Sequence, residues 1–134
     1  MIILNAEFKN FRLLKDLKID FANDKNKNLT VIRAANESGK TTMLNALQWC
    51  FFDEDGLPEK GKNYRISPID LLVDDDSSID ISVSIDFSII NKGIEKKYKL
   101  LRSTNERVQS ESFIRQKSNI CFTSFCHSRT ITET

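Results

Sequence analysis

Val31-Ile32-Arg33-Ala34-Ala35-Asn36-Glu37-Ser38-Gly39-Lys40-Thr41-Thr42 joins two segments of different period. Before it, Leu29-Thr30-Val31-Ile32 is short and apolar enough to form a strand buried on both faces. After it, Met43, Leu44, Leu47, Cys50 and Phe51 recur at spacings of three and four, which predicts a helix with one continuous buried stripe. A strand that passes through a Gly-Lys-Thr loop into a helix is the arrangement of a phosphate-binding loop, here with Ala34 at the position of the first glycine. Successive backbone N–H groups in such a loop curl round a β-phosphate, and the helix N-terminus adds its partial positive charge. Gly39 permits close backbone approach, Lys40 places a point charge on the β- and γ-phosphates, and Thr41 offers its hydroxyl to Mg²⁺. Ser38 and Thr42 are further donors, and Asn36 faces the γ-phosphate side. The competing reading is a helix N-cap on Ser38, with Lys40 and the threonines as ordinary first-turn residues. Alanine in place of the first glycine costs about 1 kcal/mol where a positive φ is needed.

Working outward, Ile2, Leu4, Ala6 and Phe8 alternate with Asn5, Glu7 and Lys9, and Leu17, Ile19 and Phe21 alternate with Lys18 and Asp20. Period two predicts two half-buried strands that pair as a hairpin, followed by a polar turn over residues 23–28. Downstream, Asp53-Glu54-Asp55-Gly56 and Pro58 stop the helix in a solvated end, and residues 59–65 read as a surface loop. The strictest alternation runs over residues 79–89, with Ile79, Ile81, Val83, Ile85, Phe87 and Ile89 on one side. Asn91-Lys92-Gly93 turns it into a partner strand over residues 94–102, a long hairpin with one solvated face. Beyond Asn105 the pattern dissolves, and residues 116–134 are dominated by Ser, Thr and isolated aromatics, with no regular structure expected there.

Composition bounds the function classes. The 134 residues, 40% hydrophobic and 29% charged, suffice for one domain. Twenty Lys and Arg against 19 Asp and Glu give a net charge of +1, so no general field draws in nucleic acid. Lys9, Arg12, Lys15 and Lys18 on the first hairpin, and Lys92, Lys96, Lys97 and Lys99 on the second, read as solvated faces. No apolar run approaches the roughly 18 residues of a membrane span, and no signal peptide is visible, so the reading is a soluble cytoplasmic chain. Cys50, Cys121 and Cys126 suggest reduced thiols, and Cys121, Cys126 and His127 lack the paired spacings of a zinc site. Asp74 and Asp75 end an apolar run in the manner of a metal-binding carboxylate strand but read better as a turn with Asp76-Ser77-Ser78. No catalytic residue is assigned from the sequence.

Residues 3–12, Ile-Leu-Asn-Ala-Glu-Phe-Lys-Asn-Phe-Arg, together with residues 29–47, resemble the N-terminal lobe of SMC/RecF/RecN-like ABC-type ATPases. The Asn-Glu-Ser-Gly-Lys-Thr-Thr loop and the Leu-Gln-Trp after it look nearest to DndD-like or double-strand-break repair ATPases. The resemblance implies an α/β P-loop fold with a mixed sheet and an antiparallel portion. It assigns residues 1–110 to the ATP-binding lobe and residues 111–134 to an irregular tail. It implies ATP and Mg²⁺ as cofactors, held by Arg12, Asn36, Glu37, Ser38, Gly39, Lys40, Thr41 and Thr42, with Thr41 on the metal. It also implies a partner, a second head or a C-terminal half bearing the signature motif in trans, with DNA engaged by the full complex. Coiled coil, signature motif and Asp-Glu strand are not found in these residues. The expectation is therefore a fragment, a frame shifted near residues 110–118, or one half of a split ATPase acting in DNA repair or anti-phage defence. The alternative is a catalytically inactive head that regulates an ATPase partner.

Overall fold

In the computed structural model, which describes residues 1–24, 26–33, 39–58, 64–68, 77–109, 112–124 and 129–130, the alternating segments form the expected hairpins. β1 (Ile2–Phe11) and β2 (Leu14–Asp20) pair antiparallel, closing at Phe11 opposite Leu14 with Arg12 and Leu13 in the turn. β3 (Ser78–Asn91) and β4 (Ile94–Gln109) pair along their whole lengths through the two-residue turn Lys92-Gly93. Both turn residues have positive φ, 53° and 75°, the geometry that matches the twist of the flanking strands. β1 lies against β3, so the sheet runs β2-β1-β3-β4, and three short strands extend it on the far side of β4. These are β5 (Ser112–Arg115), β6 (Asn119–Ser124) and β7 (Arg129–Thr130).

The phase of β1 shifts once. Ile3 faces Phe87 and Asn5 faces Asp86, leaving Leu4 as the extra residue of a bulge. Beyond the bulge Ala6 and Phe8 point into the core; before it Ile3 joins the core while Ile2 is exposed. The even-numbered alternation of the sequence therefore holds only from Ala6 onward.

One helix, α1 (Lys40–Phe52), packs on the inner face of β1, β3 and β4. Its buried residues are Met43, Ala46, Trp49 and Cys50, whereas Leu44 is 55% exposed and Leu47 and Phe51 are half-buried. The buried stripe is thus rotated toward Trp49, whose ring lies 5.8 Å from that of Phe11, because the largest apolar surface takes the deepest position. After α1 the chain folds into a 3₁₀ turn (Asp53–Gly56). A methyl group on Gly56 would sit 2.3 Å from the Gln48 carbonyl oxygen, so only glycine lets this turn lie on the helix backbone.

Three sequence expectations are corrected here. Residues 29–32 form no strand: Leu29 is 78% exposed and Val31 69%, and every pairing among the described strands is antiparallel. A strand buried on both faces needs a neighbour on each side, and the described sheet offers 29–32 none. The chain after residue 111 is not irregular throughout, because β5, β6 and β7 satisfy the outer hydrogen-bonding edge of β4. Stacking of Phe122 on Tyr98 (5.2 Å), with Phe87 at 6.2 Å, seats β6 without any periodic signal. The end of the polar stretch 59–65 is not surface either, since Tyr64 is buried and leads into buried Ile66, Ser67 and Pro68.

Cys50 and Cys121 are free thiols of opposite character, one buried and one exposed. Burial pushes the Cys50 thiol up from 9.0 to about 11, against the lowering influence of the neighbouring Arg102 guanidinium. Because folding raises this pKa, the contribution of the neutral thiol is intact below pH 9 and is lost as pH rises through about 11. Unfolding free energy should fall over that window with a slope of up to about 1.4 kcal/mol per pH unit, and Cys50→Ala should flatten it. Alkylation near neutral pH, read by mass spectrometry, should modify Cys121 and spare Cys50; equal labelling would contradict the burial.

Candidate nucleotide site

Gly39 occupies the N-cap of α1 with φ 106° and ψ 10°, a left-handed conformation that glycine adopts without strain. As a glycine it brings no side chain to cap the helix, and the first turn carries no acidic residue. Met43 N–H is the first amide to find its partner inside the helix, donating to the Gly39 carbonyl at 2.8 Å. The amides of Lys40, Thr41 and Thr42 therefore have no partner within the helix, the arrangement in which aligned peptide dipoles favour phosphate. Lys40 and Thr41 are exposed and Thr42 is half-buried. Gly39 stands at the cap, and Ser38, the residue of the competing cap reading, lies outside the described residues.

The β1–β2 turn forms the wall beside this helix start. A methyl group on Gly39 would lie 3.3 Å from Leu14 Cδ2 and 3.9 Å from Leu13 Cβ. Arg12, the residue before, is thus brought next to the helix N-terminus, in a left-handed conformation of its own at φ 52°. Its backbone N–H donates to Ile66 O at 2.7 Å and its Nε to Arg65 O at 2.5 Å. Its guanidinium lies 4.1 Å above the centre of the Tyr64 ring. The structure therefore fastens Arg12 to residues 64–66, a role the sequence does not disclose.

Residues 64–67 are held in turn from beneath. The Glu106 carboxylate, fully buried on β4, accepts from Ile66 N–H at 3.2 and 3.1 Å and from Ser67 N–H at 2.8 Å. Arg115 on β5 donates to Glu106 Oε2 at 2.9 Å and to the Tyr64 carbonyl, and meets Glu54 Oε1 at 3.3 Å. Arg102 similarly donates to the Cys50 carbonyl at 3.1 Å near the C-terminus of α1 and lies 3.6 Å from Asp53. Asp53 and Glu54 are thus ion-paired and not merely solvated. The inward row Arg102, Thr104 and Glu106 carries no hydrophobic signal, so only the register opposite Val83, Ile81 and Ile79 reveals it as buried.

Asn36, Glu37 and Ser38, with Ala34, lie outside the described residues, as do Asp74, Asp75, Cys126 and His127. Among the described residues no group of three or more His, Cys, Asp or Glu could hold a metal ion. Lysines on the outer sheet face sit opposite acids, Lys9 across from Asp16, Lys18 from Glu7, and Lys99 3.8 Å from Asp86. No helix among the described residues is long and apolar enough to cross a membrane.

A helix start at Gly39 followed by Lys40 and Thr41 is the feature of P-loop nucleotide-binding proteins. The sequence model of the AAA domain matches residues 7–127, nearly the whole chain and past the change of texture at 110–118, and the chain belongs to that family of P-loop ATPases. Members of the family use ATP and Mg²⁺. Comparisons with curated proteins and with solved structures give no match.

Proposed function

We propose that this chain binds Mg²⁺-ATP at residues 34–42, with the first-turn amides and Lys40 on the phosphates and the Thr41 hydroxyl on the metal. The carrying observation is the helix start itself: Gly39 at φ 106°, with Lys40 and Thr41 exposed directly after it. The residues fit the cofactor, since backbone donors and one ammonium suit phosphate oxygens, and a hydroxyl suits a hard cation that keeps most of its waters. Asn36, Glu37 and Ser38 are proposed as further phosphate contacts on the sequence motif, and Arg12 as a further contact on the resemblance. Hydrolysis belongs to a complete assembly in which a second head or a C-terminal half closes the site, and the resemblance to SMC, RecF and DndD-like ATPases directs that assembly to DNA, in repair or anti-phage defence.

Exposed apolar side chains favour such a partner. Leu29, Val31 and Ile32 are exposed on the approach to the loop, and Leu44 is exposed on α1. A hollow of about 630 Å³ lined by Met1, Ile2, Ile3, Phe21 and Leu47, among others, opens beside them. Apolar surface of this kind on a single chain marks an interface. Calorimetric titration with ATP should give saturable binding in Mg²⁺ that weakens at least about tenfold in excess EDTA, since the metal offsets the repulsion of phosphate charges. A folded chain that binds no nucleotide would instead favour the inactive, partner-regulating head.

A further inference from the structure

The buried pair Glu106–Arg115 stands well away from the helix start in sequence, yet hydrogen bonds lead from it to Arg12, and the two leucines after Arg12 pack at Gly39. Glu106 holds the amides of Ile66 and Ser67, and Arg115 holds the carboxylate and the Tyr64 carbonyl. Residues 64–66 hold Arg12 through two backbone carbonyls and the Tyr64 ring. Arg12 precedes Leu13 and Leu14, which pack on Gly39. Asn45, on α1, adds a second contact by donating to the Tyr64 hydroxyl at 3.5 Å.

Residues 64–68 belong to no strand of the described sheet. Their position is set by burial of Ile66 and by this carboxylate, which can leave neither its amides nor its guanidinium without stranding a buried charge. The arrangement has the properties of a clamp: a fully buried carboxylate at its base, and at its end the β1–β2 turn that packs at the helix N-cap. We infer that Glu106 and Arg115 are positioning residues for the nucleotide site, acting through residues 64–67 and Arg12 on Gly39 and Lys40. The inference rests on the nucleotide reading of residues 34–42 and adds to it a regulatory base on β4 and β5. Linkage makes the coupling reciprocal, so phosphate bound at Gly39 must tighten the clamp as the clamp tightens the phosphate site.

Backbone amide NMR of the nucleotide-free chain, with ATP titration of the same samples, tests this. In Glu106→Gln and in Arg115→Lys the signals of Arg12, Gly39 and Lys40 should move, and ATP affinity should drop about tenfold. Either change combined with Arg12→Ala should lose no more affinity than Arg12→Ala alone, since all act along one route. In the unaltered chain, saturating ATP should slow hydrogen exchange at Ile66 and Ser67, which a purely structural pair would not show. Signals that move only at residues 64–67, 106 and 115, with affinity within about twofold of the parent, would overturn the inference, as would losses that add to Arg12→Ala. If Glu106→Gln does not fold, Arg115→Lys and the exchange measurement decide. Absence of ATP binding by the parent chain, with Gly39 and Lys40 signals still responding, would sink the nucleotide reading and leave the coupling standing.

Discussion

Lys40→Ala is expected to abolish measurable ATP binding while leaving the fold as stable as before or slightly more so. The two effects have separate causes. The ammonium of Lys40 is the one side-chain cation in the first turn of α1, and charge-assisted bonds to phosphate contribute about 1.5–3 kcal/mol each. Losing two of them weakens binding by at least about 100-fold. In the absence of nucleotide, however, a cation at a helix N-terminus opposes the macrodipole by about 0.3–1 kcal/mol, and alanine has the better helix propensity. Lys40 is exposed and makes no described packing contact that its removal would forfeit. Calorimetry and urea denaturation on the same preparation separate the outcomes. Unchanged affinity would remove Lys40 from the site, and a large loss of stability would show that it serves the fold.

Trp49→Ala should have the largest effect on stability of any single change in α1, about 3–5 kcal/mol. Trp49 is fully buried, packs on Phe11 and sits where α1 meets β1. For a domain whose whole stability is of order 5–15 kcal/mol, that change removes from about a fifth to all of it. The indole N–H finds no hydrogen-bond partner among the described residues. Trp49→Phe should therefore cost clearly less than alanine, since it trades lost area against removal of an unpaired buried donor. Denaturant midpoints for the two variants check this, and an equal penalty would mean that the indole nitrogen is paired.

Both hairpins were legible because β3 alternates strictly over residues 79–87 and β1 does so from Ala6 onward, and the Lys92-Gly93 turn announces itself by residue type. The start of α1 was legible from Gly39-Lys40-Thr41 alone. Its buried face was legible in part: Met43 and Cys50 of the predicted stripe are buried, but the stripe overlooked Ala46 and Trp49 beside Leu47 and Cys50. Residues 29–32 misled for the opposite reason: an apolar run reports that burial is wanted, not that the described chain supplies it. Arg102, Glu106 and Arg115 were invisible, since a charged residue on an inward strand position looks solvated until its partners from elsewhere in the chain are known. The clamp beneath Arg12 is built wholly from such residues.

β1 joins β3 by pairing Ala6 with Ile85, so this seam closes a loop of about 80 residues, whereas each hairpin joins neighbours in the chain. In kinetic terms the hairpins are cheap to make and the seam is the late, entropically costly step. α1 lies inside that loop, and the turn that walls its N-terminus rides on β1. The N-terminal end of the helix is consequently among the last parts of the molecule to acquire its final surroundings, and a nascent chain lacks the wall beside Gly39 until its two halves have closed.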